Sequence, residues 1–200
     1  MTLLERCASE TCREGRLPVL ETDRLLLRAP RFEDAKAIAA LANDLRIAEN
    51  MLRIPHPYAL ADAENFIAGA NATGDEIAFL ITTHGARVLG TCGISKLDSG
   101  DPEIGYWLGV PFWGRGYATE AARAVIDHAF GDLGCAAVLG RARVSNPASR
   151  RVLEKCGFQW IGVGLYRIPA LASSAPADRF RLDRSLWASI RSWGKVNTVA

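Results

Sequence analysis

"EIGYWLGVPFWGRGYATEA", residues 103–121, runs from an alternating apolar stretch through a proline and two glycines into an alanine-rich stretch. In its first half Ile104, Tyr106, Leu108 and Val110 fall on one face of an extended chain, and Glu103, Gly105, Trp107 and Gly109 on the other. That period of two marks a strand over 103–110. From Tyr117 the period changes. Ala118, Ala121, Ala122, Val125 and Ala129 form one helical stripe, with Glu120, Arg123 and Asp127 away from it, which predicts a helix over 117–130. Gly114 and Gly116 therefore stand at a strand-to-helix junction, on either side of Arg115. Such a junction exposes unpaired N–H groups, and glycine lets a phosphate approach the backbone.

Outward from this stretch the chain reads as one mixed α/β domain. Upstream, "RLLLRAP" (24–30) is a strand stopped by Pro30, and "RFEDAKAIAALAND" and "ADAENFIAGANA" (61–72) are helices with prolines between them. "IAFLITT" and "RVLGTCGISKL" are strands joined at "HGA", which with 103–110 make a three-stranded meander. Downstream, "AAVLGRARV" (136–144) is a strand. "NPASRRVLEKCG" is a helix with Asn146 as N-cap, Pro147 at its first position and Gly157 just past its end. "FQWIGVGLYRI" is a strand, "PALASSAPA" a loop, and "DRFRLDRSLWASI" a closing strand that runs on into a tail. Residues 1–20 read as an extension, 21–187 as the domain and 188–200 as a tail. The expected fold is a central, mixed, mostly antiparallel twisted sheet of six to seven strands with helices on both faces.

Composition narrows the function. The 200 residues are 49% hydrophobic and 23% charged, ordinary for a globular chain, and the net charge of +2 with scattered basic residues does not point to nucleic acid. Five cysteines without CxxC spacing favour reduced thiols over a disulfide framework. The three histidines pair with no cysteine at ligand spacing, so no metal is expected. No signal peptide or membrane span is legible, and a cytoplasmic location is expected.

Three phosphate-binding patterns can be set against the junction. A Walker loop requires Lys-Ser/Thr where Arg115-Gly116 stand, and a dinucleotide fingerprint lacks its third glycine and its opening βαβ unit. The third, [Q/R]xxGx[G/A], finds Gly116-Tyr117-Ala118 for its GxA, with Trp113 in the Gln/Arg place. With these residues the chain resembles the GNAT superfamily of acetyl-CoA-dependent N-acetyltransferases, and most of all its branch of ribosomal-protein N-terminal acetyltransferases. "NPASRRVLEKCGF" (146–158) resembles that branch's N-x-x-S-x-x-x-[LAY]-x-x-x-G-F element, and "TDRLLLR" its opening strand. The resemblance spans roughly residues 21–187.

It implies acetyl-CoA as co-substrate. The pyrophosphate would lie on Gly114, Arg115, Gly116, Tyr117, Ala118 and Thr119. The pantetheine arm would lie along Leu108 and Val110, with Asn146 bonding it and Ser149 facing it. Backbone amides at the splayed end of the 103–110 strand would hold the oxyanion. The tyrosine that many relatives use as acid is replaced here by Leu153, which makes Ser149 the candidate acid. The glutamate that some relatives carry after the GF strand has no counterpart, because 159–177 contain no Asp or Glu. Glu103 is then the candidate base. Cys156 lacks a nearby histidine and sits at a helix C-terminus, which argues against an acyl-enzyme.

The expected reaction moves acetyl from acetyl-CoA to a primary amine, either a small molecule or a protein N-terminus, by direct attack. A catalytically silent acyl-CoA-binding module is the alternative, and a homodimer is left open. Residues 46–66 and 164–178 are expected to shape the acceptor pocket. The shortage of acids in their stretches "RIPHPY" and "YRIPALASSAPAD" argues against a polycationic acceptor.

Overall fold

Strand β5 (Pro102–Leu108) is the pivot of the fold, since it pairs antiparallel with one neighbour along its whole length and parallel with the other at only two positions. The protein was analysed as a computed structural model that describes residues 17–72, 76–96 and 100–195. Within these residues the remaining strands are β1 (Leu20–Glu21), β2 (Leu25–Arg28), β3 (Glu76–Thr83), β4 (Val88–Lys96), β6 (Ala137–Arg143), β7 (Gln159–Ile168) and β8 (Ser173–Asp183). The helices are α1 (Ala35–Ala42), α2 (Leu45–Ala48), α3 (Leu60–Asn71), α4 (Tyr117–Gly131), α5 (Pro147–Lys155) and α6 (Arg184–Lys195). The sheet runs β1-β2-β3-β4-β5-β6-β8-β7, antiparallel everywhere except between β5 and β6.

Alternation along the strands sends apolar side chains to both faces, and helices cover each. On one face Ile104 and Leu108 of β5 join Val125 and Phe130 of α4 and Leu153 of α5 in a single cluster. On the other, Trp107 packs with Ile38 of α1, Ile47 of α2 and Ile67 of α3. Alanines at 121, 122 and 129 bring α4 close to the sheet, as its helical stripe predicts. Ala118, in the same stripe, is only half-buried because the first turn of α4 overhangs an opening.

The expected architecture of one mixed α/β domain with helices on both faces is what the chain adopts, with eight strands rather than six to seven. One addition is β1, a two-residue strand paired to β2 through Leu20↔Leu27 and Glu21↔Leu26, too short to show a period. The expected loop after β7 is a tight turn at Pro169–Leu171, and β8 starts at Ser173 to pair with Ile168. Ser, Ala and Pro hid the first half of this strand, before Asp178. Pro176 sits where the β6 ladder ends: the Val144 N–H donates to Pro176 O at 3.1 Å, and proline has no N–H to return. The expected closing strand stops at Asp183, and residues 188–195 continue α6 rather than trailing as a tail. Trp187 holds that helix in place, stacking on Phe130 at 5.1 Å and donating to Asp127 at 2.7 Å. Val110 lies beyond the strand, in a 3-10 turn over Val110–Phe112. Of the expected extension, residues 1–16 lie outside the described residues, as do 196–200 of the tail.

Candidate active site

Strands β5 and β6 share only the pairs Glu103↔Leu139 and Ile104↔Gly140; beyond them the two strands are no longer paired. Into this wedge opens a cavity of about 880 Å³. Its walls include Glu103, Leu108, the Gly114 and Gly116 backbone, the first turn of α4, and Asn146 and Ser149 at the start of α5. Of the residues singled out from the sequence, Val110 and Arg115 are not on this wall. Val110 packs toward the α1–α3 cluster and Arg115 is exposed.

The glycines do what the junction requires. Gly114 has φ +74° and Gly116, the N-cap of α4, φ +80°, a left-handed conformation that favours glycine. No side chain caps α4. The first-turn amides of this 15-residue helix therefore face the cavity without a side-chain acceptor, an arrangement suited to an anion.

The loop is held by residues that the sequence reading had not singled out. Arg24 of the β1–β2 segment donates through Nη1 to Arg115 O (3.0 Å) and through Nε to Glu120 (2.7 Å), and its guanidinium lies 4.7 Å from the Tyr117 ring centroid. Thr22 donates to the same carboxylate at 2.6 Å. Burial opposes the charge on Glu120, yet these hydrogen bonds outweigh it and hold its carboxyl below the usual carboxylate range. From the strand side Trp113 Nε1 donates to Leu108 O at 2.7 Å. Both Thr22 and Arg24 lie in "TDRLLLR", but contacts across more than 90 residues leave no local trace.

On the far wall Asn146 caps α5, its Oδ1 accepting from Ser149 N at 3.1 Å, and its amide remains on the cavity. The Ser149 hydroxyl lies 3.0 Å from the phenol oxygen of Tyr106, which also bonds Ser149 O at 3.1 Å. Burial pushes the Tyr106 phenol well above its ordinary range, so it stays protonated and keeps its hydrogen bond to Ser149 O. From the sequence Tyr106 is only one of four residues on one face of the strand. Its place two residues beyond the last β6 pairing, on the α5 face, makes it a site residue. Leu153 does not line the cavity; it is 1% exposed in the core, against Gly140.

Glu103 lies on the cavity wall, 8% exposed, with both carboxylate oxygens accepting from Arg141 through its Nε and Nη2. Arg141 in turn lies over the Tyr166 ring at 4.3 Å. Other nucleophiles and bases are elsewhere or engaged. Cys156 is buried, which pushes its thiol up to about 11. His128, on the buried side of α4, lies against Phe79, with Nδ1 2.7 Å from Asp132. Asp178 accepts from Trp160 (2.8 Å) and Arg150 (3.3 Å). Among the described residues no cluster of His, Cys, Asp and Glu could hold a metal ion, and no helix is long and apolar enough to cross a membrane.

A strand wedge leading to an uncapped, glycine-opened helix N-terminus is what the sequence resemblance implies, and family comparison agrees. Residues 24–159 match the acetyltransferase (GNAT) domain model. The chain belongs to the GNAT family. It is 30% identical over 152 residues to the uncharacterized N-acetyltransferase p20 of Bacillus licheniformis, covering 74% of this chain and 85% of that one. Its fold matches a GNAT-family acetyltransferase from Bacillus anthracis with a TM-score of 0.74 at 22% identity, over 84% of this chain and 99% of the other. It also matches the spermidine N-acetyltransferase of Vibrio cholerae, solved with CoA and spermine, with a TM-score of 0.72 at 19% identity over 84% and 99%. As a GNAT N-acetyltransferase the chain takes acetyl-CoA as its co-substrate, and the uncapped α4 start and Asn146 fit the coenzyme's phosphates and its amide-bearing arm.

Proposed function

We propose that this GNAT protein transfers acetyl from acetyl-CoA directly to a primary amine, of a small molecule or a protein N-terminus, in a ternary complex. The observation that carries this is one cavity joining the uncapped α4 N-terminus to the β5–β6 wedge, with a paired hydroxyl donor on one side and a carboxylate on the other. The pyrophosphate rests on the amides of residues 116–119 and the arm runs past Leu108 and Asn146. The neutral amine attacks the thioester carbon; its N–C bond forms, the C–S bond breaks, and one proton leaves nitrogen while one reaches sulfur. Backbone N–H groups of β5 beyond Ile104 face the wedge and steady the oxyanion. Ser149, backed by Tyr106, supplies the proton to the thiolate. Glu103 uses the lone pairs that Arg141 leaves open to take the amine's proton, directly or through water. Among the described residues the wall carries no thiol or imidazole, in keeping with direct attack rather than an acyl-cysteine intermediate. We place the protein in the cytoplasm, in keeping with the free thiols of Cys92, Cys135 and Cys156.

The test is a panel of amines and N-terminal peptides, with free CoA measured by thiol titration. Release that needs both acetyl-CoA and amine supports the transferase. Binding of acetyl-CoA without release for any acceptor moves the protein to a silent acyl-CoA-binding module.

A further inference from the structure

The acceptor side of the cavity carries four arginines, and three of them are neutralised. Arg46 pairs with Asp44 at 2.6 Å, Arg53 with Glu76 at 2.7 Å, and Arg141 with Glu103. The fourth, Arg143, ends β6 two residues beyond Arg141 and so shares its face of the sheet. Among the described residues no carboxylate lies within ion-pair distance of it. Its Nη1 donates to the backbone oxygen of Glu49 at 2.6 Å, and its Nε is the one buried side-chain polar atom there with no partner. A guanidinium on the wall of an open cavity, with no carboxylate partner, has N–H groups to offer an anion. Glu49, at the C-terminus of α2, lines the same wall, and its carboxylate makes no ion pair among the described residues. On this wall Arg143 and the Glu49 carboxylate are thus without an ion-pair partner among the described residues, and the Glu49 backbone is in contact with Arg143.

From this juxtaposition we infer that the acceptor amine carries an anionic group of its own, a carboxylate or a phosphate, held by Arg143. The inference rests on the transferase reading and deepens it. Along β6, Arg143 lies roughly 7 Å from Arg141, which holds Glu103, the length of one strand repeat. An amine directed at Glu103 with an anion at Arg143 spans about one strand repeat, a reach suited to a short amino acid. The Nη1 bond to Glu49 O fixes the guanidinium plane, and planarity matches a carboxylate or phosphate in a way an ammonium cannot. A polyamine, in contrast, would set a second cation against Arg143, a like-charge contact that disfavours it.

The test is calorimetric titration of the CoA-loaded full chain with matched amines: glycine and methylamine, L-methionine and 3-(methylthio)propylamine, L-phenylalanine and 2-phenylethylamine, O-phosphoethanolamine and ethanolamine. At least one acid is expected to bind about 10- to 100-fold tighter than its uncharged-tail partner. A preference confined to O-phosphoethanolamine assigns the anion as phosphate, and one among the amino acids as carboxylate. Arg143→Gln should abolish the preference while leaving the acetyl-CoA Kd unchanged, and Arg143→Lys should retain part of it. If no acid outbinds its partner, or if Arg143→Gln keeps the preference, the inference is overturned. CoA release is scored separately: its absence alongside a clear anion preference would remove the transferase reading and leave the anion site standing.

Discussion

The hydroxyl of Tyr106 lies 3.0 Å from that of Ser149, joining β5 to α5 across the strand wedge. The Tyr106 hydroxyl also bonds Ser149 O at 3.1 Å, so each hydroxyl has a fixed neighbour and the pair forms a short relay. Ser149→Ala should lower kcat by ~10²–10⁴ with acetyl-CoA affinity less affected, as for loss of a proton donor used in the transition state. Tyr106→Phe keeps the serine and should lower kcat by a smaller factor, about 10-fold. Steady-state kinetics with a saturating acceptor separate the cases. If Ser149→Ala changes only KM for acetyl-CoA, the serine is a coenzyme contact and not the acid.

Glu103 and Arg141 form the other bridge, and it serves charge balance as well as chemistry. Glu103→Gln keeps the shape but leaves the half-buried Arg141 without its counter-ion. The expected result is a kcat lowered by ~10²-fold, most at pH values below the acceptor's own pKa, together with a Tm reduced by a few degrees. A pH–rate profile that keeps its parent shape and height in the variant would remove Glu103 from proton transfer.

Acid should loosen the coenzyme loop. For Glu120 and Asp34 burial favours the neutral acid, but hydrogen bonds and nearby arginines outweigh it and lower both acids below their unfolded values. Asp34 accepts from Arg28 at 2.8 Å through each oxygen, and from Arg31 N at 2.8 Å. A lowered native pKa means that the unfolded chain binds more protons in acid, so stability rises with pH. The contribution is complete above roughly pH 4–5, where the unfolded carboxyls ionise, and is lost as pH falls through the native values. Urea midpoints between pH 7 and pH 3 should fall steeply in the parent and less steeply in Glu120→Gln and Asp34→Asn. Equal slopes in all three would contradict these assignments.

How much of this was legible beforehand follows from the range of each interaction. The α4 stripe, the meander, the Asn146 cap and the glycine pair are local patterns, and each element stands where its pattern put it. The first half of β8 was lost because Ser173, Ser174 and Pro176 lack the apolar alternation of a half-buried strand; pairing with β7 supplies what the side chains do not. In α6 the spacing of Leu186 and Ile190 was present, but the strand-like "DRFRLD" before it masked the change of period. Glu103 and Ser149, singled out by position in the sequence, lie on the cavity wall. Tyr106, Arg24, Glu120 and Arg143 were missed, because their roles come from contacts between residues 43 to 96 apart.

The seat of the coenzyme is tested most directly by titrating acetyl-CoA into the parent protein and its Gly116→Val variant by calorimetry. Beside the left-handed φ of +80°, a side chain at 116 would come within 3.4 Å of Arg24 Nη2. The strain costs about 1–2 kcal/mol, which a folded domain tolerates, and melting curves verify that it does. Expected are one acetyl-CoA bound per parent chain and an affinity at least about 10-fold weaker in the variant, whose branched side chain occupies the space of the pyrophosphate. Equal affinity in the two proteins, with both folded, would mean that the coenzyme does not lie on the 114–119 loop.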